Sequence, residues 1–147
     1  MGLDMFLYAR KSFSEYHPKQ KEIAAKLKEL AGFPDDSNSV YVMAEVMYWR
    51  KANQIHKWFV DNVQNGNDNC GEYYVDRTDI EKLVLACDTA WVNKDTSILP
   101  PESGFFFGST DTDEWYWDQI RTTSKRLREI LEDPTLQDAS LFYQSSW

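Results

Sequence analysis

The densest run of side chains able to do chemistry is Tyr48-Trp49-Arg50-Lys51-Ala52-Asn53-Gln54-Ile55-His56-Lys57-Trp58. Read as part of a helix over residues 47–63, it places Arg50, Asn53 and Lys57 on one polar stripe. Trp49, Ala52, Ile55, His56, Phe59 and Val63 fall on the apolar stripe, with His56 at the border. Such a strip holds an anion through Arg and Lys, hydrogen-bonds through Asn and stacks a planar ring on Trp. The plainer reading of the same residues is an amphipathic helix that buries its aromatic face and solvates its charges.

A second segment, Phe105-Phe106-Phe107-Gly108-Ser109-Thr110-Asp111-Thr112-Asp113-Glu114-Trp115, reads as a short aromatic strand, a glycine turn and a helix start. Free N–H groups at a helix start attract anions. Here Asp111, Asp113 and Glu114 already bring carboxylates to that turn, which favours capping over phosphate binding. Ser109 and Thr110 supply hydroxyls to any ligand, and the Phe and Trp rings supply stacking.

Other chemistries find less support. The loop Asn65 to Glu72 looks superficially like a calcium loop, but with Gly71 at the sixth position Gly66, Cys70 and Arg77 fall where acidic ligands belong. Cys70, Cys87, His17 and His56 are too few and wrongly spaced for zinc. Cys70 with His56, oriented by Asp68 or Glu72, would make a thiol nucleophile, although no thiol-hydrolase signature surrounds it. Neither GxxxxGK[ST] nor GxGxxG occurs.

The elements that must position these groups follow from periodicity. Residues 3–9 alternate as a strand, and residues 18–31 read as a helix with Ile23, Leu27 and Leu30 as its stripe and Gly32 as its stop. Residues 40–46 and 72–75 are strand candidates. Thr78-Asp79-Ile80-Glu81 has capping-box form before a helix carrying Ile80, Leu83, Val84, Cys87 and Trp91. Residues 103–110 read as the aromatic strand. Residues 112–132 form the last helix, with Tyr116, Ile120, Thr123, Leu127, Ile130 and Leu131 inward, and residues 140–144 a terminal strand. The expectation is an α+β fold: about four helices packed on a small, mostly antiparallel sheet that includes both chain ends, in a single globular domain over 1–147.

Composition bounds the class. The chain has 147 residues, 15% of them aromatic, which excludes a disordered chain. No apolar run approaches a membrane helix, and no secretory or myristoylation signal is read at the start. Cys70 and Cys87 are expected as reduced thiols. The net charge of −8 is uneven: residues 1–60 hold nine Lys and Arg against seven Asp and Glu, whereas residues 61–147 hold seven against 17. Acidic surplus argues against duplex DNA or RNA as a partner. The local cationic spots are Lys19 to Lys28, and Arg50-Lys51 with Lys57.

Several segments together resemble a family of small bacteriophage and prophage proteins. They are the start Gly2-Leu3-Asp4-Met5-Phe6-Leu7-Tyr8, the block Tyr48 to Val60 with Asn62-Val63-Gln64, and Asp68 to Val75. Ser103 to Thr110 with Asp113-Glu114, and the ending Phe142 to Trp147, also look like that family. The match covers most of the chain and carries no catalytic residue with it. It implies a viral accessory protein working in a bacterial host cytoplasm.

Chemistry and context together give the functional expectation: a non-enzymatic protein that binds a small anionic or nucleotide-like host ligand, of the kind used in defence signalling, without a cofactor or metal. The expected site gathers Arg50, Asn53, His56, Trp58, Tyr73, Tyr74, Phe105, Phe107, Ser109 and Trp115. Two alternatives stand beside it. One is an acidic inhibitor that binds a host enzyme, and the other is a small hydrolase or transferase using His56.

Overall fold

Alternation sets the first strand. Leu3, Met5, Leu7 and Ala9 are buried, while Asp4, Phe6 and Tyr8 are half-exposed on the opposite face. In the computed structural model, which describes residues 2–147, this becomes β1 (Asp4–Ser14). It is followed by α1 (Lys21–Ala31), β2 (Ser39–Arg50), α2 (Asn53–Asn62), β3 (Tyr73–Val75), α3 (Arg77–Asn93), α4 (Glu114–Glu132) and β4 (Ser140–Ser146).

Among the described residues the fold is α+β, with four α-helices and one four-stranded sheet of order β2-β1-β4-β3. The strands nearest the two chain ends, β1 and β4, are the central pair. Lys51 N–H donates to the Leu3 carbonyl at 2.7 Å and Glu15 N–H to the Asn38 carbonyl at 3.1 Å, so β1 and β2 run antiparallel. β3 and β4 are antiparallel too, with Tyr73 opposite Tyr143 and Val75 opposite Leu141. Among the described residues, no helix is long and apolar enough to cross a membrane.

The chain divides into two compact units, Met1–Ala9 with Glu45–Trp147, and Arg10–Ala44. In the larger unit the core is built on stacked aromatics. Phe59 from α2 lies parallel to Tyr143 from β4 at 3.9 Å, and Trp49 from β2 meets both edge-on. The Trp49 indole donates to Thr123 Oγ1 at 2.8 Å, so its one polar atom is satisfied inside the core. The α4 stripe reads as expected, with Tyr116, Ile120, Thr123, Leu127 and Ile130 buried and Leu131 partly so. Asp113 caps α4 by accepting from Tyr116 N–H at 3.2 Å. On α3 the cap is Asp76, accepting from Thr78 N–H at 3.1 Å, so Thr78 sits inside the first turn instead of starting the helix.

Two further expectations are corrected. The helix expected over 47–63 begins only at Asn53, because β2 continues to Arg50. Met47 and Trp49 are buried and Tyr48 and Arg50 exposed, which is period two rather than 3.6. Lys51, at φ 53°, then turns the chain into α2. The aromatic strand expected over 103–110 is an irregular loop with one turn at residues 105–107. Its backbone groups bond to Asn53 and Leu3 instead of to a ladder.

In the smaller unit, α1 forms as expected and stops at Gly32, whose φ of 73° is left-handed. Its inward face differs from the expected one. Ala24 and Lys28 are buried, whereas Ile23 and Leu30 are exposed, Leu30 at 85%. The reason lies in Lys28: its ammonium meets the Glu15 carboxylate and the carbonyls of Asp35 (2.8 Å) and Ser37 (3.1 Å). An ammonium given three acceptors is stable inside, and its helix position then fixes which face turns inward.

Candidate functional site

The expected site residues fall into separate surroundings. Asn53 begins α2, is buried, and spends its whole amide on the 102–109 loop. Its Nδ2 donates to the carbonyls of Phe107 (3.0 Å) and Ser109 (2.9 Å), and its Oδ1 accepts from Glu102 N–H (3.0 Å). This side chain is a clamp on the loop with no donor left over for a ligand.

His56 is one turn further along α2 and equally buried. Its Nε2 lies 2.9 Å from Asp68 Oδ2, and its Nδ1 lies 2.7 Å from the Tyr143 hydroxyl. A proton on Nε2 satisfies both: the ring donates to the carboxylate and accepts from the phenol. Asp68 Oδ1 also accepts from the Trp147 indole at 3.0 Å. Burial holds the Tyr143 phenol well above its ordinary 10.0. The relay Tyr143–His56–Asp68–Trp147 therefore fastens the loop after α2 to the last strand. Both ring nitrogens of His56 are engaged there, instead of facing Cys70.

Phe107 packs edge-on against His56 and Trp147, at centroid distances of 5.2 and 5.9 Å. Phe105, two residues away, is 96% exposed. Trp58 is half-buried and edge-on to Phe59. Tyr73 and Tyr74 are neighbours on β3 and so point to opposite faces of the sheet. Tyr73 donates to Asn69 Oδ1, and Tyr74 is exposed against Phe142. Phe107 lines a recess in which Trp58, Tyr73, Tyr74 and Phe105 take no part.

Arg50 and Trp115 do share one. A cleft of about 480 Å3 lies between the end of β2 and α4, lined by Met47, Tyr48, Trp49 and Arg50 on one side and Trp115, Asp118, Gln119 and Thr122 on the other. A smaller recess of about 130 Å3 adjoins it, with Trp115 and Gln119 common to both. It is lined by Lys51, Asn53, Gly108 and Ser109 among others. The indole of Trp115 is 62% exposed. Arg50 reaches Asp4 Oδ1 at 3.2 Å, and Tyr48 donates to the same oxygen, a bond that raises the phenol above its ordinary value. Ser109 Oγ accepts from Asp111 N–H at 3.0 Å.

The floor between the two clefts was not legible in the sequence. Gln54 Nε2 donates to Gln119 Oε1 at 2.9 Å, and Gln119 Nε2 donates to the Arg50 carbonyl at 3.2 Å. The two glutamines thus tie α2, α4 and β2 together at the cleft. Lys51 runs along Gly108, where an added Cβ would come within 3.1 Å of the lysine stem. Gly108, at φ 84°, is therefore required both by its backbone and by this close approach.

A third recess of about 280 Å3 lies beside His56 and Phe107, rimmed by Lys57, Asp61, Asp68 and Glu102. Lys57 is 3.1 Å from Asp61 and 3.6 Å from Glu102, and the bond to Asp61 raises its pKa. No group of three or more His, Cys, Asp and Glu that could hold a metal occurs among the described residues. Of the ten expected site residues, Arg50, Asn53, Ser109 and Trp115 line the two adjoining clefts, and His56 and Phe107 line the third recess. Comparison with family models, with curated proteins and with solved structures gave no match to this chain.

Proposed function

We propose that the chain is a non-enzymatic binding protein that holds a small nucleotide-like ligand in the cleft between β2 and α4. The observation that carries this reading is the exposed Trp115 indole shared by two adjoining clefts, with Arg50 at one and Lys51 at the other. A planar base stacks on the indole, with about 1–3 kcal/mol at stake per ring. Thr122 offers a hydroxyl to its edge, and Arg50 or Lys51 meets a negative group. The cleft volume of about 480 Å3 lies within the range of small-molecule sites. Asp118 on the same wall favours a ligand whose ring, more than its charge, enters the cleft. The resemblance to small phage proteins supports a place for this binding in a bacterial host, as sequestration of a defence signal.

A thermal-shift panel of cyclic and ADP-ribose-type nucleotides tests the reading. A ligand at a hundred times its Kd stabilises the fold by about 2.7 kcal/mol, which is a rise in Tm of roughly 5–11 °C for a chain of this size. No shift across the panel overturns it. A second reading, an acidic inhibitor docking on a basic host protein, draws on Phe105, nearly fully exposed, and on the exposed Asp111, Asp113 and Glu114 that follow it. A silent nucleotide panel leaves that reading standing.

A further inference from the structure

A further cleft, with a volume of about 520 Å3, lies between α3 and α4. It is lined by Arg121, Lys125 and Arg128 from α4 and by Trp91 and Asp88 from α3. The three cations are spaced i, i+4 and i+7, so they lie along one side of the helix within two turns. A rise of 1.5 Å per residue spreads them over roughly 10 Å.

This concentration is unusual for its surroundings, since residues 61–147 hold only seven Lys and Arg against 17 Asp and Glu. The other four cations of that segment are engaged: Lys82 with Asp79, Arg126 with Glu129 and the Val46 carbonyl, Arg77 with the Leu136 carbonyl, and Lys94 with the Trp91 and Trp117 rings. Neither Arg121 nor Lys125 enters an ion pair among the described residues. Arg128 is paired with Asp88, which also accepts from Ser124 Oγ, so that carboxylate is already neutralised. Arg121 lies over the Trp91 ring at 4.7 Å, and Lys94 covers the same ring at 2.9 Å. The indole thereby holds the guanidinium at the groove without removing its donors. With cations already over it, the ring serves as a support for charge and not as a platform for a base.

We propose that the α3–α4 groove is an oligophosphate-binding site. Two cations free of carboxylates and a third beside them, each about a turn from the next, match a chain of successive charged groups better than a single carboxylate. Each phosphate oxygen accepts charge-assisted bonds from Arg121, Lys125 and, by partial exchange with Asp88, Arg128. Asp118 also lines the groove and repels any anion, and the three cations outnumber it there. The phosphate chain comes either free or as part of a nucleotide. The groove borders the Trp115 cleft at Asp118 and Thr122, and an oligophosphate has no ring to stack on Trp115.

Calorimetric titration with tripolyphosphate at low salt tests this. Wild-type protein is expected to bind, and Arg121→Gln and Lys125→Gln to bind about tenfold more weakly each, the worth of one charge-assisted bond. Both positions are exposed, so the variants keep the fold. Lys82→Gln, a distant exposed cation, is expected to bind as wild type. A nucleoside triphosphate binding as tripolyphosphate does assigns the free chain as ligand, and tighter binding assigns the nucleotide. Failure of wild-type protein to bind tripolyphosphate, or equal loss with Lys82→Gln and Lys125→Gln, overturns the proposal.

Discussion

Replacing Asn53 by Ala removes three hydrogen bonds that join α2 to the 102–109 loop across about fifty residues of sequence. The Phe107 carbonyl is buried, so losing its donor costs about 1–3 kcal/mol. The bonds to Ser109 and Glu102 are part-buried, and water replaces them at a net loss of about 0.5–1.5 kcal/mol each. The sum is about 4 kcal/mol, a fall in Tm of roughly 8–16 °C. Asn53→Asp keeps the acceptor for Glu102 N–H but sets a buried negative charge against two carbonyl oxygens, and is expected to cost more than Asn53→Ala. Urea unfolding measures both, with the slope m unchanged if only the folded state has lost contacts. Hydrogen exchange of the Glu102 amide is expected to quicken in step. A loss below about 1 kcal/mol for Asn53→Ala, or Asn53→Asp as stable as wild type, refutes the clamp.

Two further outcomes follow from buried titratable groups. Burial raises the Cys87 thiol from 9.0 to about 12, the Tyr116 phenol from 10.0 to about 12, and the Tyr143 phenol well above 10.0. The unfolded groups ionise first, so the contribution of these groups declines from about pH 9 toward pH 12 as the unfolded state sheds protons the folded state retains. Urea midpoints across that window measure the decline, and a flat profile contradicts it; native Cys87 is expected to resist thiol reagents that reach the half-buried Cys70. Lys28→Met leaves Glu15 and two carbonyls without their ammonium. It is expected to cost about 2–3 kcal/mol, less than for a fully buried pair since Glu15 is partly exposed. Quickened exchange of α1 amides reports the loss, and unchanged exchange refutes it.

What was legible in the sequence is what local periodicity decides. The alternation of Leu3, Met5 and Leu7 placed β1, and the spacing of Tyr116, Ile120, Thr123 and Leu127 placed the inner face of α4. Residues 47–52 misled because Trp49, Ala52 and Ile55 fit a helical stripe while Met47 and Trp49 also fit a strand. The decision is made far away, by the Leu3 carbonyl that receives Lys51 N–H. The aromatic run 105–107 looked like a strand by composition, yet Asn53 takes its carbonyls, a partner no local pattern reveals. On α1, Ile23 and Leu30 lost the interior to Lys28, whose acceptors come from Glu15 and the turn after the helix. The expected site suffered from the same cause. Asn53 and His56 have the chemistry of ligand-binding residues but spend it on internal bonds, whereas Gln119 and Arg121 gain meaning only from their neighbours in space.

The most direct test of the binding reading is the set of indole N–H resonances of the six tryptophans, with the Trp115 signal assigned from Trp115→Phe. Addition of the tightest nucleotide of the panel is expected to move the Trp115 resonance and to leave Trp58 and Trp147 in place. Binding is expected to fall about five- to 150-fold in Trp115→Ala, the loss of one stacked ring. A Trp115 signal that stays fixed under saturating ligand, or a Trp115→Ala variant that binds as wild type, contradicts the account.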